Sequence, residues 1–384
     1  MNAPAERPLS GVRIVEISSF VAVPLAGMTL AQLGAEVVRI DPVGGAADYR
    51  RWPLTRTGES IYWAGLNKSK RSVVFDPGCP DSQRLVQALI IEAGVFITNS
   101  TGRQWNSAST LGERRPDLIH LEVVGRGDGS TGVDYTVNAA TGFPLITGPA
   151  DHGGPVNHVL PAWDVSCGLY AALAVLTALR RRETTGCGSH IRLALDDVAL
   201  ATAANLGFLT EAMVTGTRRP RLGNAVFGQY GHDFLSSDGV SFMVLALTRR
   251  HFRDLAELTG TAKAVAAVGE ALDVDFGDEG RRYEHREVLN GLFAPWFAAR
   301  TAGEVAAALA GTSVLWERYQ SFAEVAASPR VHANPLFTRL DQPGIGTYPA
   351  PGLPMSVDGA HYAAGPAPTL GEDTEAVVAD WLGQ

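Results

Sequence analysis

Apolar and polar positions follow two periods along the first 200 residues. Short β-branched runs predict strands, whereas apolar residues three or four positions apart predict helices. The predicted strands are Val12–Ile17, Glu36–Ile40, Arg71–Phe75, Val95–Thr98, Leu118–Val124 and His190–Leu195. The predicted helices are Ala22–Leu33, Asp81–Ala93, Val165–Arg182 and Val198–Thr215. This alternation is typical of an α/β fold with a mostly parallel sheet.

The pattern changes after Gly216, where arginine, glycine and aromatic residues predict a linker into a second unit. One strand and several helices follow, which predicts a smaller α/β domain. A proline-rich stretch then predicts an extended return segment before a last helix, Glu372–Leu382. The expected divisions are residues 1–216, 217–328 and 329–384, with a strand at 241–247 and helices at 250–259, 283–299 and 302–310.

Composition narrows the class of protein. Hydrophobic residues make up 46% and charged residues 19% of the 384-residue chain, which is ordinary for a compact enzyme. The net charge of −8 argues against a nucleic-acid or membrane-surface partner, because both require a basic field. The most apolar run, residues 169–179, is too short to span a bilayer, and residues 1–10 do not resemble a secretory signal. We therefore expect a cytoplasmic protein.

The cysteines do not indicate a disulfide framework or a metal site. Cys79, Cys167 and Cys187 are scattered, no CxxC pair occurs and HExxH is absent. The sequence therefore predicts no metal centre.

A glycine pattern at residues 127–132 matches GxGxxG and follows the predicted strand that ends at Val124. A dinucleotide site also needs a helix after the glycines, and residues 133–142 are a poor opening for one. The first predicted turn, residues 18–21, contains no glycine. We therefore reject a nicotinamide or flavin site. A surface loop and a mobile loop over an active site both remain open.

Asp164 stands directly before the longest predicted helix, and two interpretations of it remain open. Aspartate is a favoured N-cap residue, and the first interpretation is that the carboxylate caps the helix. The positive end of a helix dipole also favours an ionised carboxylate, which is the form that acts as a covalent nucleophile.

Two groups of cations suit an anionic ligand. Arg39 ends the second predicted strand, where many dinucleotide folds carry an acid for the ribose, so a cation there suits a phosphorylated ribose. Lys68, Lys70 and Arg71 precede the third strand and could bind a diphosphate. The alternative for Arg39 is a surface salt bridge with Asp41, and the alternative for the lysines and Arg71 is a solvated charge cluster.

The whole chain resembles the family III CoA-transferases. The segments that carry the resemblance, in the family's order, are 9–16 (LSGVRIVE), 34–40 (GAEVVRI), 66–72 (LNKSKRS), 164–168 (DVSCG), 185–188 (TGCG), 220–224 (PRLGN), 237–239 (SDG) and 368–372 (PTLGE). The resemblance implies a Rossmann-like large domain built from both chain ends, a smaller α/β domain, and an interlocked homodimer.

The resemblance also implies the chemistry. Asp164 would be the nucleophile toward an acyl-CoA substrate, with coenzyme A as part of the substrate and no permanently bound cofactor. The residues that would contact CoA are Ser18, Val21, Arg39, Leu66, Lys70, Arg103, Gly125 and Arg126.

Details within the resemblance bear on the reaction. Val133 stands where the racemase branch of the family has a proton-exchanging histidine, so racemisation is not expected. Segments 133–138 and 155–164 resemble the branch that moves CoA between two carboxylates of one diacid. Arg126 and His158 are candidates to bind the second carboxylate. The alternative activity is intermolecular CoA transfer. A second alternative is that the protein binds CoA without catalysing a reaction.

Overall fold

The computed structural model describes residues 7–383. Up to residue 216 the elements alternate as the sequence predicts. They are β1 (Arg13–Ile17), α1 (Ala22–Gln32), β2 (Glu36–Pro42), α2 (Ile61–Leu66), β3 (Arg71–Phe75), α3 (Pro80–Ala93), β4 (Val95–Thr98), α4 (Ala108–Arg114), β5 (Ile119–Val124), α5 (Asp134–Ala140), α6 (Phe143–Ile146), α7 (Ala162–Thr185), β6 (Ser189–Ala194), α8 (Leu195–Asn205) and α9 (Phe208–Thr215), with a 3₁₀ turn at Gln104–Asn106.

The remaining elements contain short strands that the sequence did not reveal. They are β7 (Gly231–Leu235), β8 (Ser241–Leu245), α10 (Arg249–Leu258), α11 (Ala262–Leu272), α12 (Glu279–Glu284), α13 (Arg286–Ala298), α14 (Ala302–Ala310), β9 (Leu315–Arg318), α15 (Phe322–Ala327), α16 (Pro329–His332), β10 (Phe337–Gln342), β11 (Gly346–Pro351), β12 (Ser356–Val357), β13 (Ala360–His361) and α17 (Thr374–Leu382).

Two compact units divide the described chain. The first contains residues 7–141, 158–216 and 328–383, and the second contains residues 142–157 and 217–327. Residues 142–157 therefore cluster with the second unit, although the sequence assigned them to the first. They carry α6, and the Arg221 guanidinium donates hydrogen bonds to backbone carbonyls of Pro144, Thr147 and Gly154.

The first unit is built on a six-stranded sheet in the order β3-β2-β1-β4-β5-β6, with all neighbouring pairs parallel. This order is typical of Rossmann folds. Strands β1 to β3 are added toward one edge of the sheet and β4 to β6 toward the other, so the strand order reverses between β1 and β4. Helices α1 and α7 pack closely, because Gly168 on α7 has no side chain. A Cβ atom there would lie 2.7 Å from the carbonyl oxygen of Ala22.

The C-terminal segment completes this unit at the β3 edge. The backbone N–H groups of Ser72 and Val74 donate to side chains of Asp373 and Thr374, at 2.8 and 3.1 Å. Val377 and Trp381 of α17 are buried in the core beneath β3. The last helix thus satisfies edge-strand donors that would otherwise be unpaired.

The second unit has its own core. Strands β7, β8 and β9 form an antiparallel sheet, in which β8 lies between the other two. Phe234 stacks on Phe297 with 4.4 Å between ring centroids, and the Tyr230 hydroxyl donates to Asn290 at 2.9 Å. Residues 217–235 are therefore only partly a linker, since β7 belongs to this sheet.

Helix α7 is longer than the apolar run in the sequence suggested. Within residues 7–383, it is long and apolar enough to cross a membrane, and the α8–α9 pair, bent by 61°, would qualify as one further span. The central helices of packed domains have the same length and composition, and α7 packs against α1 and the sheet. The length and composition of α7 are therefore equally those of a core helix in a packed domain.

Candidate active site

A cavity of about 800 Å³ opens at the carboxyl edge of the parallel sheet. It lies where the chain leaves β1, β4 and β5, and its walls include Ser19, Asn99 and Val124. Rossmann-type sheets bind ligands at this edge, beside the point where the strand order reverses. Its lining lies entirely in the first unit.

The turn between β1 and α1 forms one wall and is held rigidly. The Ser19 N–H donates to the Asn99 side chain at 3.0 Å, and the Asn99 amide donates back to the Ser19 carbonyl at 2.8 Å. Phe20 has a left-handed backbone with φ of +65°, which is uncommon outside glycine. Its N–H donates to Asp48 at 3.0 Å, which supports this conformation. Helix α1 then begins beside the cavity without a side-chain cap on its first N–H groups.

The glycine-rich loop at residues 125–132 forms the opposite wall. Its two ends meet so closely that a Cβ atom on Gly125 would lie 2.4 Å from the Gly132 nitrogen. Helix α5 begins two residues later, so the prediction that residues 133–142 would not open a helix was wrong. The loop nevertheless follows the fifth strand, whereas a Rossmann dinucleotide loop follows the first.

Asp164 points into this cavity from the first turn of α7. The helix begins at Ala162, so Asp164 lies inside it and not directly before it as predicted, and the interpretation of Asp164 as the helix cap is wrong. Asp134 of α5 performs the capping instead. One of its oxygens accepts from the N–H groups of Trp163 and Asp164, at 2.8 and 3.1 Å. The Asp164 carboxylate is therefore not used as a cap.

Burial and charge both disfavour ionisation of Asp164. Partial burial, followed by repulsion from Asp134, raises its pKa to about 6, and the Arg51 cation opposes this rise. Asp134 itself is buried and contacts the His158 ring nitrogen at 2.5 Å. A carboxylate with such a pKa is ionised at neutral pH but is more basic than an ordinary aspartate, which favours nucleophilic attack.

Two arginines, Arg51 and Arg192, border the same cavity. The Arg51 guanidinium lies over the rings of Phe20 and Tyr62, at 5.3 and 5.0 Å from their centroids. Arg192 lies at the exposed edge strand β6, next to Gly129 of the loop. These cations give the cavity a preference for anionic ligands, although the chain as a whole is acidic.

The predicted CoA contacts fall into three groups. Val21 and Gly125 line the Asp164 cavity. Ser18 and Arg103 line a second cavity of about 340 Å³, and Ser19 borders both cavities. The residues that line neither of these two cavities are Arg39, Leu66, Lys70 and Arg126.

Arg39 has no exposed surface to offer a phosphate, which corrects its predicted place in the site. Its guanidinium donates to both Asp41 oxygens at 2.9 and 3.0 Å, to Asp48 at 3.0 Å and to Asn67 at 3.0 Å. Lys70 is equally buried and donates to Glu16 and Asn67, both at 2.8 Å. Arg39 therefore forms the alternative salt bridge with Asp41, but in the interior and not at the surface as expected.

The sequence did not single out Asp134, Arg51 or Arg192. Asp134 is a favoured type at a helix start, but it caps a different helix, 28 residues later in the chain. Arg51 and Arg192 have no neighbouring motif. Conversely, Arg126 and His158, which were predicted to bind the second carboxylate of the substrate, do not line the Asp164 cavity.

The fold and the cavity define a Rossmann-like enzyme domain with a carboxylate at its ligand-binding edge. The sequence profile of CoA-transferase family III matches residues 9–374. The chain belongs to the CoA-transferase family III.

Particular relatives refine this assignment. The chain is 45% identical to 2-methylfumaryl-CoA isomerase of Chloroflexus aurantiacus, over 98% of this chain and 94% of that protein. It is 30% identical to succinate–glutarate CoA-transferase of Agrobacterium fabrum, over 97% and 95%. The crystal structure of a CAIB/BAIF family protein from Brucella suis superposes with a TM-score of 0.81 at 26% identity, covering 98% of this chain and 100% of that one.

Replacing Arg39 tests whether it is structural. Arg39→Met should lower the free energy of unfolding by about 3–5 kcal/mol, because Asp41 and Asp48 would remain buried without their cation. The midpoint of urea unfolding measures this loss. Arg84→Met, which removes an exposed ion pair with Asp81, is the control and should cost less than about 1 kcal/mol.

The contrary outcome is specific. If Arg39→Met were as stable as the wild type, and if it lost affinity for CoA but not for dephospho-CoA, Arg39 would instead be a phosphate ligand.

Proposed function

We propose that the protein transfers CoA between the C1 and C4 carboxylates of mesaconate, which converts 2-methylfumaryl-CoA to 3-methylfumaryl-CoA. The observation that carries this proposal is the 45% identity to 2-methylfumaryl-CoA isomerase along almost the whole chain, against 30% to succinate–glutarate CoA-transferase. The position of Asp164 in the cavity of about 800 Å³ supports a covalent route.

The first half of this route moves CoA onto the enzyme. The ionised Asp164 carboxylate attacks the thioester carbonyl of the substrate, which forms a mixed anhydride and expels the CoA thiolate. The thiolate then attacks the aspartyl carbonyl of the anhydride. This step leaves an aspartyl-CoA thioester and free mesaconate with both carboxylates ionised.

The second half reverses the order of events at the other end of the diacid. The C4 carboxylate attacks the aspartyl thioester, forms a new anhydride and expels the thiolate. Attack of the thiolate on the mesaconyl carbonyl gives the product and restores the Asp164 carboxylate. The freed diacid need only turn over inside the cavity, where its effective concentration exceeds that of acids in solution.

Neighbouring groups suit each stage of this chemistry. The uncapped N–H groups at the start of α1 and the backbone of the glycine-rich loop border the same cavity as Asp164. Backbone donors in such positions stabilise tetrahedral oxyanions. Arg51 and Arg192 carry the positive charge that a dianionic intermediate needs.

The second cavity is the place we propose for the nucleotide end of CoA. It shares Ser19 with the Asp164 cavity, and Arg103 supplies a cation there. A CoA molecule that passes along Ser19 would then reach Asp164 with its thiol. Arg103 would take the phosphate-binding role that the sequence assigned to Arg39.

We also propose that two copies form an interlocked homodimer. Helix α7 exposes Leu169, Tyr170 and Leu173, each at 52–54% of its surface, and α9 exposes Met213 and Val214 at 77–79%. Apolar surfaces of this kind commonly mark protein interfaces. A second copy of the chain is the occupant that the family resemblance implies.

The Asp164→Asn variant should lose turnover by several orders of magnitude while it still binds CoA, since the amide cannot form the anhydride. It should also be more stable at pH 7.5. Between about pH 4 and 6 the folded wild type holds the Asp164 proton more tightly than the unfolded chain does. Its free energy of unfolding therefore falls as pH rises through this window.

The expected stability gain of Asp164→Asn is about 1–3 kcal/mol at pH 7.5 and vanishes near pH 4. Urea unfolding at both pH values and steady-state kinetics provide the measurements. Asp151→Asn, an exposed change, is the control and should alter neither property. Near-full activity of Asp164→Asn would refute the covalent route.

Isotope exchange distinguishes intramolecular from intermolecular transfer. When 2-methylfumaryl-CoA is converted in excess labelled mesaconate, little label should enter the product, and added succinate should not accept CoA. Arg192→Gln should raise label incorporation, because the freed diacid is held less firmly. Arg180→Gln, which alters an exposed residue of α7, is the matched control. Rapid label entry with the wild type would establish intermolecular transfer and leave the role of Asp164 unchanged.

Sedimentation measures the proposed dimer. The wild type should sediment as a dimer and remain so on dilution, because interlocked chains cannot separate without unfolding. Leu173→Glu should reduce the dimer fraction, whereas Leu272→Glu, at an exposed site on α11, should not. A monomeric wild type would refute the assembly.

A further inference from the structure

Three side chains that commonly bind metals lie close together on one face of the sheet, and none of them lines the Asp164 cavity. His120 and Glu122 lie two residues apart on β5 and therefore point to the same side. His190 on β6 is the direct neighbour of His120 in the strand register. One ligand atom from each side chain lies within 4.8 Å of the other two.

His120 lacks the hydrogen bonds that a buried imidazole requires. Its side chain is 2% exposed, and neither ring nitrogen has a hydrogen-bond partner among residues 7–383. The ring packs against Phe96 and His190, with centroids 4.8 and 5.4 Å away. Buried polar side chains are almost always hydrogen-bonded or bound to an ion, so this unpartnered imidazole is a candidate ligand.

The ligand atoms lie somewhat farther apart than the spacing that a tetrahedral cation requires, so one side chain must adjust. Bonds of 2.0–2.1 Å at tetrahedral angles place neighbouring ligand atoms about 3.3 Å apart. His120 Nε2 lies 3.6 Å from Glu122 Oε1, and His190 Nε2 lies 3.3 Å from the other carboxylate oxygen, Glu122 Oε2. His190 is 51% exposed on an edge strand, so its ring can adjust toward His120.

We propose that His120, Glu122 and His190 form a binding site for a divalent cation of the zinc class. Two imidazoles and one carboxylate suit Zn²⁺, which commonly takes three protein ligands and one water. The exposed His190 provides access from solvent. Glu122 also borders a small cavity of about 200 Å³ that could hold the water.

The proposed cation would cross-link β5 to the edge strand β6. These two strands also carry Val124 and Arg192, which border the Asp164 cavity. The cation would therefore stabilise that edge of the sheet without taking part in CoA transfer, and its test is independent of the proposed function.

Metal titration of the full-length protein tests the site. The protein is treated with a chelator, desalted and titrated with Co²⁺, whose visible absorption reports a tetrahedral site, and Zn²⁺ is then added in competition. One equivalent of Zn²⁺ should bind with Kd of roughly 1 µM or tighter. It should also raise the thermal unfolding temperature of the wild type.

His190→Ala and Glu122→Gln should each weaken Zn²⁺ binding by at least about tenfold and abolish the thermal shift. His190 is exposed, so its replacement should leave folding intact. His332→Ala, an exposed histidine on α16, is the matched control and should bind Zn²⁺ like the wild type. Absence of stoichiometric binding to the wild type, or equal binding by His190→Ala, would overturn the proposal.

Discussion

The buried charge cluster around Arg39 is the constraint on which the active-site edge depends. Two cations, Arg39 and Lys70, lie among three carboxylates, Glu16, Asp41 and Asp48, with almost no exposed surface. Such charges are tolerated only when every one is paired and hydrogen-bonded. Their pairing ties the ends of β1 and β2 to the loops at residues 48 and 67–70, so these segments cannot move independently.

Asp48 also connects this charge cluster to the cavity, because it contacts the turn before α1. One of its oxygens accepts from the Phe20 N–H, and the Ser18 carbonyl accepts from Arg39. The turn before α1 is thereby held with Phe20 in an unusual backbone conformation. The turn at residues 19–20, which borders the Asp164 cavity, is therefore held in place by almost fully buried charges.

The ionisation of Asp164 also depends on a residue far away in the chain. Asp134 caps α7 in place of a local side chain, and its charge adds to the effect of burial, which raises the pKa of Asp164. One carboxylate thus satisfies the helix N-terminus, while the other stays available and basic. Arg51 limits the repulsion, so that Asp164 remains mostly ionised at neutral pH.

The alternating pattern of residues 12–200 was enough to predict most strands of the sheet, since buried parallel strands are continuous apolar runs. Resemblance along the chain indicated the family and Asp164. Contacts between distant segments were beyond the sequence: Arg39 is a plausible phosphate ligand by position, and only its pairing with Asp48 shows that it is buried. Likewise, His120 and His190 are 70 residues apart, and only the pairing of β5 with β6 brings them together. Local periodicity determines secondary structure, whereas burial and pairing of charges depend on which segments the folded chain places side by side.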